Sequence, residues 1–401
     1  MMEENKIPKT VSLVIISMLL FIPGMVLIGH QNLPPEIGEP VREFVMSQYI
    51  THSSISINND TEFQNEGFSG SGTSEDPFII ENIFFNSTFF NAVDIVNTRA
   101  YFIIRGCKIL AEGMGIYLFN VSNGLIEDCI IQGNGSGIYV DNSTNMIIDD
   151  CEFLLSYIGI EEYGSSNSTI RDSKFHHNDW GIYLESTYDT RIQSCTIYSN
   201  LRGIQLDEET YNITVFSNSL CWNGNHVGGF LQTHDNARDQ SENNTWTSNR
   251  WSDYVGTGVY ILPGGTGTQD LFASRMVDID FPVVYGLEDI RYDEGAVGNW
   301  LNWNATDPLP AYLNVYIDDD LFELQTWTSE NYRLLVDGFP IGSHNITIQY
   351  IDAAGNTAID QVWVSVMISI FGGEGTEYVL YASLGSIVCV MILLFAIKRM
   401  R

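Results

Sequence analysis

The chain has 401 residues, with 50 Asp+Glu against 18 Lys+Arg, a formal net charge of −32 and 44% hydrophobic residues. A surface this acidic repels phosphates, which excludes nucleic acid as a partner, and the apolar content excludes a disordered acidic tail. Six Cys without a CxxC pair exclude a disulfide-dense scaffold and offer no zinc or redox spacing.

In chain order, the first feature is an uncharged apolar run from Val11 to Ile28, preceded by Lys6 and Lys9 and broken by Pro23 and Gly24. Residues 1–30 therefore read as a signal peptide or an uncleaved signal anchor, and both remain open.

A repeat follows. Gly-Ile recurs at Gly115-Ile116, Gly137-Ile138, Gly159-Ile160, Gly181-Ile182 and Gly203-Ile204, each step being 22 residues. Cys107, Cys129, Cys151 and Cys195 keep that step, with Ser173 filling the gap. Ile104, Ile126, Ile148, Ile170 and Ile192 form a third column, and Ile109, Ile131, Phe153, Phe175 and Ile197 a fourth. Asn134, Ser156, Asn178 and Asn200 share a column, as do Asn123, Asn145, Asn167 and Asp189. A helical solenoid needs longer units and helix-length periodicity. Here the alternation is short and of period two, as in GIYL at 181–184, where Ile182 and Leu184 face one way and Tyr183 the other.

The fold class this predicts is all-β: a right-handed parallel β-helix with one coil per 22 residues over 45–280, its regular coils spanning 79–223. Stacked at about 4.8 Å, roughly seven coils give a rod about 34 Å long. The Ile columns become buried ladders. The Asn columns sit at corners, where amides bond above and below and tolerate the left-handed conformation. The repeated Gly marks a tight corner or a positive φ. In-register cysteines lie too far apart for an unstrained bridge, so they read as free packing thiols.

The coil pattern, the entry segment GFSGSGTSEDPFIIENI (67–83) and the exit segment NNTWTSNRWSDYVGTGVYILPGG (243–265) resemble pectate-lyase-type repeats of the carbohydrate-binding and sugar-hydrolase group. In particular they resemble NosD-like archaeal surface proteins, over about 50–280. The resemblance implies the fold and a sugar-related or surface role. It does not extend to a copper-site role, because no His/Met/Cys cluster is present and His176 and His177 read as surface residues.

After Pro282 the repeat is gone and Trp300, Trp303, Trp327 and Trp363 appear. The stretches 312–318, 345–352 and 360–366 alternate as antiparallel strands, with DAAGN (352–356) as a hairpin loop. Residues 281–368 are thus expected to form an Ig-like β-sandwich, similar to modules of prokaryotic surface proteins. The Asp318-Asp319-Asp320 run is a candidate Ca²⁺ contact but more often a solvated turn, and no other cofactor is expected.

Residues 369–377 read as a stalk, and the uncharged run from Tyr378 to Ile397 as a membrane span. Lys398, Arg399 and Arg401 make the tail after it cytoplasmic, so the expectation is a cell-membrane protein with its ectodomain outside. Ten N-x-S/T sequons, from Asn59 to Asn345, all fall between the apolar runs.

Outward positions beside each Gly-Ile give one column, Tyr117, Tyr139, Glu161, Tyr183 and Gln205, and a second, Phe119, Asp141, Tyr163, Glu185 and Asp207. Aromatic rings on a flat parallel sheet suit stacking on sugars, and the acids between them suit hydroxyls. Tyr117, Tyr139, Glu161, Tyr163 and Tyr183 are the candidate ligand-binding residues. Asp141, Glu185 and Asp207 are the candidate catalytic acids, at spacings near glycosidase carboxylate separations. No nucleophile–His–Asp set or HExxH occurs, and a chain with 50 acidic residues stacks some by accident. The preferred reading is therefore non-catalytic, a glycan- or polymer-binding or adhesive rod, with a polysaccharide hydrolase or lyase as the alternative.

Overall fold

The computed structural model describes residues 49–224, 236–328 and 331–368. The apolar runs at 11–28 and 378–397, the stalk and the basic tail lie outside the described residues. Among those described, no helix is long and apolar enough to cross a membrane.

The repeat folds as a right-handed parallel β-helix of about eight coils, one more than the period suggested. Each coil contributes one strand to each of three faces. Face one runs from Ile50–His52 to Ser274–Arg275, and face two from Ile55–Ile57 to Ala237–Asp239. Face three runs from Phe78–Glu81 to Gln269–Asp270 and is closed by the antiparallel strand Tyr260–Ile261. Ile138 lies over Ile116 and under Ile160, and Ile148 pairs with both Ile126 and Ile170. The predicted register therefore holds, including the one-residue insertion that sets Val215 on Ile192 and Leu220 on Ile197. These column residues are fully buried. Burying each one contributes roughly 1.5–3 kcal/mol, so the stacked ladders are the main source of stability.

The corners explain the polar columns. Asn123, Asn145, Asn167 and Asp189 take φ between 56° and 63°, and the Asn145 and Asn167 amides donate down the column at 3.2 and 2.6 Å. Inside, Asn178 donates to Asn200 and Asn200 to Asn223, both at 2.9 Å, in a fully buried amide ladder. Asn134 does not join it. Its side chain is exposed and bonds Glu112, while the Gly133 amide takes the place beneath Ser156.

The Gly column also has a different cause from a positive φ. A Cβ on Gly159 would meet the carbonyl oxygen of Gly181 at 2.5 Å, so the coils approach too closely there for any side chain. Cys107, Cys129, Cys151, Cys195 and Cys221 are free and buried, as the spacing required.

After the last coil strand, a three-stranded sheet forms from Val283–Tyr285, Trp300–Thr306 and Tyr332–Leu335. A five-stranded sheet forms in the order Ile290–Asp293, Thr357–Met367, Gly342–Asp352, Pro310–Ile317, Asp320–Thr326. The three strands read from the alternation are antiparallel neighbours, and the loop after Asp352 is the hairpin between the last two. The edge strand Ile290–Asp293 pairs in parallel, which alternation alone does not reveal. Trp303, Tyr350, Val315 and Val362 fill the core, and the Trp303 indole donates to Asp360 at 2.7 Å.

Candidate functional site

Face two carries the outward stripe. Because Ile116, Leu118, Ile138 and Val140 point inward and are fully buried, the residues between them must point out. The register places Asp94, Tyr117, Tyr139, Glu161, Tyr183, Gln205 and Arg238 in one column. Phe119, Asp141, Tyr163 and Glu185 form the next. Nine of the ten expected stripe residues therefore stack as the spacing required. Asp207 lies beyond the strand Arg202–Leu206, and its Oδ1 accepts from the Ser186 and Glu209 amides and from Thr210 Oγ1. It closes a turn.

The rings are organised. Tyr117 stacks on Tyr139 with centroids 5.8 Å apart and on Phe119 at 6.5 Å. Two coils above Tyr139, Trp180 meets Tyr183 edge-on at 5.1 Å, and Arg202 lies 4.4 Å over the Trp180 ring. Ser136 donates to Glu161 at 2.5 Å, and the Tyr183 hydroxyl donates to Glu185 at 3.0 Å.

Burial and the surrounding acids push the Tyr139 hydroxyl up to about 12, and burial with Glu185 also raises Tyr183. Burial raises the Asp141 carboxyl. It raises Glu161 too, with Ser136 opposing and Glu185 adding. The phenols therefore stay protonated donors, and the carboxylates sit in a crowded, partly dehydrated row. Such a face offers stacking platforms with hydrogen-bonding acids between them.

A second polar region was not read from the sequence. A cavity of about 630 Å³ is lined by Asn82, Arg105, Gly106, Glu127, Asp128, Asp149, Asp150 and Asp172. Asp128, Asp150 and Asp172 take φ of 51°, 48° and 51°, so they form the left-handed corner between faces three and one. The signal was present as a 22-residue column of acids. Arg171 holds Asp149 at 2.5 Å and Arg105 holds Glu81 at 2.7 Å.

Metal ligation finds one grouping among the described residues: Asp278, Asp307 and Asp352, whose oxygens lie within 4.8 Å of one another. Both Asp352 oxygens already accept from Asn356 at 2.8 Å. Asp318 sits in the hairpin turn at φ 52°, with its carboxylate taken by His344 and the Asn345 amide, each at 2.8 Å.

His176 and His177 correct the sequence reading. His176 is fully buried and His177 partly so, where the sandwich strand carrying Ala311 meets this corner of the solenoid. No local pattern announces a contact made with residues more than a hundred positions away.

Among solved structures, XylC in complex with xylose is similar at 9% identity, covering 71% of this chain and 61% of that one, with a TM-score of 0.37. Full-length tailspike protein 2 from Escherichia coli O157:H7 bacteriophage CAB120 is similar at 11% identity, covering 71% and 45%, with a TM-score of 0.32. This chain thus spans less than two thirds of the length of either. Fibronectin(III)-like modules of Clostridium thermocellum CbhA match at 14% identity over 21% of this chain and 98% of theirs, with a TM-score of 0.17. No curated protein matches the sequence. The model of the right-handed β-helix region matches residues 47–155 and 114–269, together more than half of the chain, so this protein belongs to the right-handed β-helix family.

Proposed function

We propose that this chain is a non-catalytic, surface-displayed β-helix that holds glycan or another surface polymer along the outward stripe of face two. The observation that carries the reading is the register: Tyr117, Tyr139, Glu161 and Tyr183 stand one above another on consecutive coils. A polymer lying along the rod would meet a ring or an acid at every step of about 4.8 Å. The charged groups of the stripe are mainly carboxylates, with Arg202 and Arg238 toward one end. Neutral or amino-bearing sugars therefore suit it better than uronates. Anchoring to the cell membrane is supported by the apolar run 378–397 with Lys398, Arg399 and Arg401 behind it.

The test is retention of the full chain on a glycan array. Loss of two platforms in the double variant Tyr139→Ala, Tyr183→Ala should lower retention at least fivefold, at about 0.5–1.5 kcal/mol per ring. Unchanged retention would remove the stripe as the binding site. Turnover of a polysaccharide that disappears in Glu185→Gln would replace this reading with a hydrolase or lyase.

A further inference from the structure

The histidine pair joins the solenoid to the sandwich through a chain of hydrogen bonds. The strand Lys174–His176 ends face one in this coil, and His177 turns the corner at φ 57°. His177 Nε2 lies 2.7 Å from the carbonyl oxygen of Ala311, on the sandwich strand Pro310–Ile317. A carbonyl only accepts, so Nε2 carries a proton and donates. His177 Nδ1 lies 2.8 Å from His176 Nδ1. A neutral His177 already protonated on Nε2 accepts there, so His176 donates. His176 Nε2 in turn faces Glu152 Oε1 at 2.9 Å, with one proton between them. Every link is satisfied with His177 neutral and His176 donating from both ring nitrogens. A second proton on His177, with His176 keeping its own on Nδ1, would set N–H against N–H across the middle link.

His176 stacks on Tyr198 with centroids 5.0 Å apart. Lys174 and Lys108 lie near Glu152, and Asp307, Cys221 and Glu152 lie near Tyr198. The hydrogen bond from His176 holds the Glu152 carboxyl below its ordinary range, so that end of the chain stays charged in mild acid. Tyr198, Cys221 and Leu309 pack together beside it, and Cys221 is fully buried.

We propose that the Glu152–His176–His177–Ala311 chain is a proton-operated latch, which fastens the sandwich to the solenoid at neutral pH and releases it when acid places a second proton on His177. Burial and the neighbouring His176 push His177 down to about 3, from an ordinary value near 6.5. The released form therefore binds a proton below about pH 6.5 that the docked form refuses until about 3. Docking is at full strength above that upper value and weakens about tenfold per pH unit below it.

Cys221 reports the opening. In the full chain, its labelling by 4,4′-dithiodipyridine, divided by the rate for free cysteine at the same pH, should rise about 16-fold from pH 6.5 to 5.0. Cys129 and Cys151, inside the coils, should stay unlabelled. In His177→Gln the amide donates to Ala311 and accepts from His176 without titrating, so Cys221 labelling should not change with pH. A flat wild-type profile, or a rise that persists in His177→Gln, would overturn the latch. Nitrogen NMR of the wild-type chain at pH 6 gives an independent reading: a neutral His177 with its proton on Nε2 is expected, and a charged ring or the other tautomer would refute the proposal.

Discussion

Glu162 stands where neighbouring coils place an aliphatic side chain. Leu118 and Val140 on one side of it and Leu184 and Leu206 on the other share its column, and all are fully buried. Its Oε2 has Thr190 at 3.4 Å, and its buried Oε1 takes no hydrogen bond. Burial pushes its carboxyl up to about 7 from an ordinary 4.5. The folded state thus keeps a proton that the unfolded chain gives up, and stability falls as pH rises from 4.5 to 7, then stays level. The loss is on the order of 3 kcal/mol. Glu162→Gln carries no such charge, so its urea midpoint should match wild type near pH 4.5 and exceed it increasingly up to pH 7. Parallel midpoints across that range would contradict this account. The residue was legible in principle: a column of Leu, Val, Leu and Leu interrupted by one acid is visible at the 22-residue period. The histidine pair was not, since its burial comes from a body folded out of distant sequence. Asn134 failed for a subtler reason, because a corner holds several backbone amides and the Gly133 amide serves in its place.

At the scale of elements, the repeat was readable because a solenoid shows each contact at a fixed step, and its end was not, because an end occurs once. The first coils are closed by the one-turn helix Glu62–Asn65, whose Phe63 is fully buried. Its ring stacks on Phe78 at 4.6 Å and on Phe102 at 5.7 Å, much as Phe153 stacks on Phe175 at 4.7 Å within the rod. A terminal coil has a neighbour on one side only, so this plug substitutes for the missing layer. Phe63→Ala removes it at a cost of about 3–5 kcal/mol. Because coils interact chiefly with adjacent coils, the damage should stay local. Hydrogen exchange should accelerate in Phe78–Glu81 and Phe102–Arg105, while Ile147–Asp149 and Thr169–Arg171 keep their protection. Uniform loss along the rod would show instead that the solenoid melts as one unit. The stripe on face two was legible for the same reason as the ladders, except at Asp207, where the strand has already ended.

For the whole molecule, the net charge of −32 acts on a fold that stacks like upon like. A repeat that preserves residue type at each step also preserves its charge. Asp128, Asp150 and Asp172 take the same corner on successive coils, with Glu127 paired to Asp149 beside them. Two like charges about 4.8 Å apart in water repel by about 1 kcal/mol. Arg105 and Arg171 relieve Glu81 and Asp149, but as half-exposed pairs they offset little. Salt screens such repulsion as the Debye length shrinks toward the charge spacing, from about 30 Å at 0.01 M to about 3 Å at 1 M. The urea midpoint of the full chain should therefore rise between 0.02 and 0.5 M NaCl, and Asp150→Asn should raise the low-salt value while flattening that dependence. A midpoint that falls with added salt would mean that attractive pairs outweigh the stacked acids. The same screening separates the ligand classes that suit the stripe. Retention of a neutral glycan on Tyr117, Tyr139 and Tyr183 rests on ring stacking and should survive 0.5 M NaCl. An amino-bearing glycan held by Glu161 and Glu185 should instead be released by it.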